Sequence, residues 1–242
     1  MQNKWYWIFR NIIFGPFLRV YNRPEIVGVD NIPSTGPAII ASNHQSVMDS
    51  FFLPLLCPRQ ITFLAKAEYF NGTTPVGRLQ KWFFTNVGQR PVNRTSASAG
   101  QDALNTAVEV LNDGDLFGIY PEGTRSPDGR LYKGKTGVAR IALASGAQVI
   151  PVAMIGTRDV NPIGTWFPRP GKVRVKVGDP IYPIEFVNNR GLERDSYEAI
   201  RALTDHIMHQ LQQLSGQEYA DVYAAEVKKA LAEGGDSSPH NP

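Results

Sequence analysis

The sequence predicts a single α/β domain with an amphipathic helix at its N-terminus. Short apolar runs alternate along the chain with segments of helical periodicity, and two of these runs end directly at polar motifs. The first 22 residues, in contrast, are mainly aromatic and aliphatic. The chain has no internal repeat, so we expect one domain over residues 25–233.

Composition limits the classes of protein to consider. The 242 residues would fit one large domain or two small ones, and 42% hydrophobic residues are enough for a core. The single cysteine, Cys57, excludes an internal disulfide and fits a reducing compartment. We interpret it as a small buried hydrophobe rather than a nucleophile.

Residues 1–24 are predicted to form an amphipathic helix that lies in a membrane interface. At about 100° per residue, five residues fall on one narrow face that is mainly polar, and aromatic and aliphatic side chains cover most of the rest. The polar face comprises Lys4, Asn11, Gly15, Arg19 and Asn22. Pro16 should kink the helix or divide it in two. Packing of this helix on the domain itself is the alternative.

No segment is predicted to cross a membrane. The best candidate, residues 5–20, is interrupted by Arg10, Asn11, Gly15 and Pro16, whereas a span needs ~20 mostly apolar residues. Arg10 also falls within the apolar region that a signal peptide would need, and no small-residue cleavage site follows. We therefore expect a peripheral or monotopic protein on the cytoplasmic face of the cell membrane.

Five strands and four helices are predicted within the domain. The strands are Ala38–Ala41, Ile61–Ala65, Leu116–Tyr120, Val149–Ile155 and Val173–Val177. The helices are Ala99–Leu111, Gly137–Ala144, Ser196–Leu214 and Glu218–Leu231. Residues 234–242 are predicted to be a disordered tail.

The first polar motif, N-H-Q-S-V-M-D at residues 43–49, places a base and an acid after a strand. His44 and Asp49 would point about 140° apart on one continuous helix. They can meet if His44 lies in the loop at the strand end and Asp49 in the first helical turn, where the helix dipole favours an acid. Asp49 would then fix the tautomer of His44, and the other ring nitrogen could take a proton from a substrate hydroxyl.

The second polar motif, Y-P-E-G-T-R-S at residues 120–126, suits phosphate binding. Gly123 lets a ligand approach the backbone closely, and Arg125 offers a planar fork that matches phosphate oxygens. An exposed turn would be the preferred interpretation if this motif stood alone. Lys66, at the end of another strand, could face the same cleft or be an ordinary edge-strand lysine.

Basic residues cluster between positions 58 and 94, although the formal net charge is only +3. The cluster comprises Arg59, Lys66, Arg78, Lys81, Arg90 and Arg94, against Glu68 alone. It suits phosphate groups or an anionic surface. No nucleic-acid-binding motif accompanies the charge, so we do not expect nucleic acid as a partner.

Two other kinds of active site are less well supported by the sequence. Ser46 and Ser126 could indicate a serine hydrolase, but neither lies in a G-x-S-x-G motif. His206 and His209 on a helix and His240 in the tail are interpreted as structural or solvated. No H-E-x-x-H motif or paired-cysteine spacing is present, so we predict no metal site.

The chain resembles the glycerolipid acyltransferase superfamily, and most of all the 1-acylglycerol-3-phosphate (lysophosphatidic acid) acyltransferases. The first family block, H-x-x-x-x-D, matches His44 and Asp49, and the third matches residues 120–126 with Tyr120 in place of the commoner Phe. The second block, a glycine followed six residues on by an arginine, matches Gly88 and Arg94. The fourth, an apolar pair before a proline, matches residues 149–152, and residues 63–68 resemble the family's lysine-bearing strand.

This resemblance implies an acyltransferase domain with a central mixed sheet flanked by helices. It makes His44 the general base and Asp49 its orienting partner. The implied substrate-binding residues are Lys66, Gly88, Arg94, Glu122, Gly123, Thr124 and Arg125. Pro151 would shape the floor of the site.

The implied reaction is transfer of a fatty acyl group from acyl-CoA to the sn-2 hydroxyl of 1-acylglycerol-3-phosphate, giving phosphatidic acid in phospholipid biosynthesis. An acyl carrier protein thioester is an alternative donor, and no cofactor is implied. The acceptor could instead be glycerol-3-phosphate, another lysophospholipid or a glycolipid. A non-catalytic protein that binds the membrane phospholipid surface is the alternative of another class. Val76, Leu79, Trp82 and Phe83 have helical spacing and could line an acyl-chain groove or pack in the core.

Overall fold

A seven-stranded mixed sheet forms the centre of the computed structural model, which describes residues 3–92, 98–165 and 167–233. The strands are β1 (Glu25–Val27), β2 (Ala38–Ser42), β3 (Ile61–Lys66), β4 (Arg90–Val92), β5 (Leu116–Ile119), β6 (Leu131–Tyr132), β7 (Gln148–Ile155), β8 (Arg174–Val177) and β9 (Tyr219–Ala220). The order in the main sheet is β1-β8-β7-β2-β5-β3-β4, while β6 and β9 pair separately. Only the pairing of β7 with β8 is antiparallel among these described strands.

Helices cover both faces of the sheet. They are α1 (Lys4–Ile8), α2 (Phe14–Tyr21), α3 (Asp49–Leu56), α4 (Pro75–Asn86), α5 (Ala99–Asn112), α6 (Gly137–Ser145), α7 (Thr157–Val160), α8 (Pro183–Asn188), α9 (Tyr197–Ser215) and α10 (Ala224–Ala232). Because side chains of a strand alternate between its two faces, Ile39 and Ala41 of β2 join a core with α5, α6, α8 and α9. Ala38 and Ile40 join a second core with α2 and α3. The predicted α/β fold with a mixed central sheet is confirmed.

The predicted strands are all present, with ends that differ by one residue at most. The short strands β1, β4, β6 and β9 were not predicted, because two or three residues carry too little periodicity. One prediction needs correction: a helix was predicted over residues 218–231, and in the structure this helix begins only at Ala224. The start of that segment, Tyr219–Ala220, pairs instead with β6, a partner some ninety residues earlier.

The N-terminal segment is helical from Lys4 to Tyr21, with a π-helical turn at Phe9–Ile13 between α1 and α2. The division therefore falls before Pro16 rather than at it. Proline lacks an N–H and its ring crowds the carbonyl four residues earlier, and the wider π turn accommodates both effects.

One side of this N-terminal segment packs on the domain and the other side is exposed. The Tyr6 hydroxyl donates a hydrogen bond to the carbonyl of Pro54, and Arg10 Nε donates to that of Leu55. Gly15 and Asn22, predicted on the polar face, are buried against the domain. The exposed apolar side chains are Trp5, Trp7, Ile12, Ile13, Phe17 and Val20. The segment thus combines the packed arrangement with the apolar surface that the amphipathic pattern predicted.

Within the described ranges, no helix has the length and apolar character needed to pass through a bilayer. The predicted tail, residues 234–242, lies outside the described residues.

Candidate active site

His44 and Asp49 lie side by side at the carboxyl end of β2. The strand ends at Ser42, His44 lies in the following loop, and Asp49 is the first residue of α3. The His44 Nδ1 atom lies 2.9 Å from Asp49 Oδ2, so the ring donates a hydrogen bond to the carboxylate. Nε2 makes no hydrogen bond within the described part of the chain. The structure therefore brings the two residues together in the way that the sequence predicts.

The carboxylate of Asp49 is completely buried and accepts further hydrogen bonds. Its Oδ2 accepts the backbone N–H groups of Gln45 at 2.6 Å and Ser46 at 2.8 Å, in addition to the histidine ring. Hydrogen bonds to a charged acceptor are strong, so they hold the carboxylate and the imidazole in one orientation. Ser46 is itself buried, and its hydroxyl donates to Asn161. This position favours a structural role for Ser46 over the serine-hydrolase alternative.

The ring of Tyr120 fixes the plane of the imidazole. The His44 and Tyr120 rings stack with centroids 3.9 Å apart and an interplanar angle of 10°. Phe63 stacks on Tyr120 in turn, at 5.5 Å. The Tyr120 hydroxyl lies 3.1 Å from Ser50 Oγ on α3, a contact that the commoner phenylalanine would lack.

Glu122 binds the backbone of the histidine loop and does not line the cavity. It is fully buried, and its two carboxyl oxygens accept the backbone N–H groups of His44 at 2.9 Å and Tyr132 at 3.0 Å. Burial raises the pKa of the Glu122 carboxyl to about 8. The structure thus changes the expectation for Glu122: it ties the two polar motifs together, whereas the expected role was binding of the acceptor.

Gly123 allows the chain to turn sharply between Glu122 and the cavity. Its φ of +73° lies in the left-handed region that favours glycine. A Cβ atom at this position would lie 3.1 Å from the side chain of Lys135, which packs over the turn. A glycine at this position therefore permits both the left-handed turn and the close approach of the Lys135 side chain.

A cavity of about 1270 Å³ extends from His44. Its polar and charged lining includes His44, Lys66, Thr124, Arg125, Lys135 and Arg140, together with the backbone of Gly123. Its apolar wall includes Tyr6, Phe9, Phe14 and Leu18 from the N-terminal helices, Phe51, Phe83, Phe84, Leu104 and Ile141. A ligand with a charged group and long apolar chains would match both parts.

Besides Asp49, which is buried and contacts His44, three of the predicted site residues do not line this cavity. Gly88 lies in a left-handed turn against Gln60, although its neighbours Val87 and Gln89 do line the cavity. Pro151 is buried in β7 beside Ala41 of β2, within the sheet that supports the site. Glu122 is the third, as described above. Arg94 lies outside the described residues.

The residues of α4 divide between the cavity and the surface. Phe83 lines the cavity, as the groove interpretation expected, whereas Val76, Leu79 and Trp82 are exposed. Trp82 contacts Trp5 edge to face at 4.9 Å, which joins the exposed part of α4 to the exposed N-terminal side chains.

Three cations near the site were not predicted from the sequence: Lys135 and Arg140, which line the cavity, and Lys228. Lys228 on α10 donates a hydrogen bond from Nζ to Thr124 Oγ1 at 2.7 Å. No motif marks this lysine, and it lies 104 residues away from its partner. Lys135 could have been noticed, because it follows the second motif within a glycine-containing basic segment, residues 133–137.

Comparison with known proteins identifies the family. A family model described as acyltransferase matches residues 23–155, more than half of the chain. The chain belongs to the acyltransferase family. The matched region of this acyltransferase contains both polar motifs and the central strands β2, β5 and β7.

Named relatives and a solved structure agree with this assignment. The chain is 32% identical over 177 residues to the chloroplast 1-acyl-sn-glycerol-3-phosphate acyltransferase LPAT1 of Arabidopsis thaliana, covering 72% of this chain but 47% of that relative. It is 27% identical over 201 residues to the 1-acyl-sn-glycerol-3-phosphate acyltransferase of Bacillus subtilis, covering 81% of this chain and 87% of the relative. The crystal structure of the 1-acyl-sn-glycerophosphate (LPA) acyltransferase PlsC from Thermotoga maritima matches with a TM-score of 0.61 and 26% identity, covering 86% and 82% of the two chains. This acyltransferase thus spans about half the length of the plant relative and most of the bacterial ones.

Proposed function

We propose that this acyltransferase transfers a fatty acyl group from acyl-CoA to the sn-2 hydroxyl of 1-acyl-sn-glycerol-3-phosphate, giving phosphatidic acid. The observation that carries the proposal is the His44–Asp49 pair, whose histidine lines a cavity with both cationic and apolar side chains. The names of the plant and bacterial relatives support the choice of acceptor.

His44 acts as the general base in this proposal. Nδ1 is engaged by Asp49, so Nε2 takes the proton of the acceptor hydroxyl as its oxygen attacks the thioester carbonyl carbon. The tetrahedral intermediate collapses, the carbon–sulfur bond breaks, and the proton returns from the imidazolium to the thiolate. The acyl group passes directly to the acceptor, without a covalent enzyme intermediate.

The charged end of the cavity binds the acceptor's phosphate. Arg125 and Lys66 both line the cavity, and the planar guanidinium of an arginine matches phosphate oxygens. The cavity exceeds the roughly 300–1,000 Å³ of most small-molecule sites, so it can hold apolar chains as well as the headgroup. Arg94 remains a further candidate phosphate ligand from the family resemblance.

The exposed apolar side chains of the N-terminal helices attach the enzyme to the membrane surface that contains its lipid substrate. Trp5, Trp7 and Phe17 are among them, and aromatic side chains are favoured at such interfaces. Because Tyr6 and Phe9 of the same helices line the cavity, the attachment places the cavity wall close to the lipid. We place this surface on the cytoplasmic face of the membrane, where acyl-CoA is available.

The test uses the purified full-length chain with labelled acyl-CoA and three acceptors in detergent: 1-acylglycerol-3-phosphate, lysophosphatidylcholine and glycerol-3-phosphate. Transfer to 1-acylglycerol-3-phosphate alone is the expected result. Preference for either other acceptor would reassign the substrate, and no transfer to any acceptor from acyl-CoA or acyl carrier protein would contradict an enzymatic role. Parallel reactions with the two thioesters identify the donor.

A further inference from the structure

Lys228 connects the C-terminal helix to the second polar motif. Its Nζ donates a 2.7 Å hydrogen bond to Thr124 Oγ1, and Thr124 lines the cavity. Lys228 is not part of the cavity wall, so it acts on the site through Thr124 and through its charge. It also lies outside residues 23–155, the region that the family model matches.

The position of Lys228 is set by the packing of the C-terminal segment. β9 pairs with β6, and the backbone N–H of Leu131 donates to the carbonyl of Glu218 at 2.8 Å. Lys133 forms an ion pair with Asp221 at 3.0 Å, and Ala224 at the start of α10 is buried. These contacts fix α10 against the strand that follows the motif.

The charges around Lys228 leave an excess of positive charge. In residues 3–92, 98–165 and 167–233, neither Lys228 nor Arg125 has a carboxylate within ion-pair distance. The nearby Glu122 is buried and already accepts two backbone N–H groups. Burial and the positive charge of Arg125 lower the pKa of Lys228. Two neighbouring cations without a counter-charge favour an anion of matching charge.

We infer that Lys228 is a positioning residue that, together with Arg125, makes the acceptor site select a phosphate monoester over a phosphodiester. A phosphate monoester carries up to two negative charges near neutral pH, whereas a phosphodiester carries one. The second cation therefore adds attraction to the monoester, and its hydrogen bond holds Thr124 at the cavity wall. This inference rests on the proposed function, because it concerns the acceptor of the same reaction.

Substitutions at Lys228 separate its charge from its hydrogen bond. Lys228→Met removes both, Lys228→Gln keeps a donor without the charge, and Lys228→Arg keeps both. Lys229→Met is the matched control, because Lys229 is the next residue on α10, is exposed, and lies 3.9 Å from Glu233. Thermal melting of each full-length variant verifies folding before kinetics are measured.

Lys228→Met and Lys228→Gln should both raise the KM for 1-acylglycerol-3-phosphate at least tenfold, with kcat changed less than threefold. Their preference over lysophosphatidylcholine should fall, and Lys228→Arg should restore most of it. Lys229→Met should have the same KM and the same acceptor preference as the wild type. A wild-type KM in Lys228→Met, or in Lys228→Gln alone, would overturn the role of the charge. A loss confined to kcat would overturn it as well.

Phosphate binding distinguishes failure of this inference from failure of the proposed function. If the wild type does not acylate 1-acylglycerol-3-phosphate, the proposed acceptor is wrong, but titration calorimetry with glycerol-3-phosphate still reports on the anion site. Weaker binding by Lys228→Met than by Lys229→Met supports the inference. Equal binding by both variants, or no binding by the wild type, overturns it.

Discussion

Replacing Ile12 and Ile13 with serine should weaken attachment to anionic vesicles by roughly 10- to 100-fold. Ile12 is 59% exposed and Ile13 is 49% exposed on the outer side of the N-terminal helices. Full burial of one such side chain is worth about 1.5–3 kcal/mol, so half-exposed side chains together contribute about 1.5–3 kcal/mol when they enter the lipid interface. Each 1.4 kcal/mol corresponds to about a tenfold change in binding.

The two isoleucines test attachment without disturbing the cavity. Deletion of the N-terminal helices would not do so, because Tyr6, Phe9 and Phe14 from the same segment line the cavity. Neither Ile12 nor Ile13 lines it, so turnover on substrate dispersed in detergent should remain at the wild-type level.

Co-sedimentation with vesicles that contain an anionic phospholipid measures the effect. The matched control is Tyr182→Ser combined with Tyr197→Ser, which removes side chains that are 54% and 70% exposed beside α8 and α9, on the other face of the sheet. This control should sediment like the wild type. Unchanged sedimentation of the isoleucine variant, or equal losses in both variants, would refute membrane attachment through the N-terminal helices.

Three further predictions concern the site itself. His44→Ala should abolish acyl transfer in a folded protein, and Asp49→Asn should lower kcat by roughly two to four orders of magnitude, because the carboxylate holds the imidazole tautomer; near-normal turnover in either variant would contradict the base mechanism. Arg125→Lys keeps the charge but loses the planar fork, so in steady-state kinetics the substitution should raise the KM for the phosphorylated acceptor more than the KM for acyl-CoA; a larger increase for acyl-CoA would assign Arg125 to the donor. Because the pKa of Glu122 rises from 4.5 to about 8 on folding, its neutral form contributes stability below pH 4.5 that is lost as the pH rises through 8. The melting temperature of Glu122→Gln should therefore fall less between pH 5 and pH 8 than that of the wild type. Parallel plots of melting temperature against pH for the two proteins would refute the buried neutral carboxyl.

The contact between His44 and Asp49 could be predicted because it is local. His44 and Asp49 are five residues apart at a strand-to-helix junction, so the conformation of one short loop determines whether they meet. The apolar runs of β2, β5 and β7 were equally visible, since strands buried on both faces read as continuous hydrophobic segments. The resemblance of the two motifs to one family identified the acyltransferase fold, although the roles of individual residues remain predictions.

Glu122 and Lys228 show why the remaining features needed the tertiary structure. Glu122 and Arg125 belong to one motif, and only the tertiary structure shows that the Glu122 carboxyl is buried against the backbone of His44 and Tyr132 while Arg125 lines the cavity. Lys228 reaches Thr124 across 104 residues through a strand pairing of two residues, which leaves no periodic pattern in the sequence. Similarly, hydrophobic periodicity identifies an apolar helix face at the N-terminus but does not reveal that Tyr6 and Phe9 line the cavity while Ile12 and Ile13 are exposed. The sequence by itself thus determined the fold class and the pairing of His44 with Asp49, which depend on local pattern. Which polar groups are buried and which distant cations share the site was decided by long-range packing.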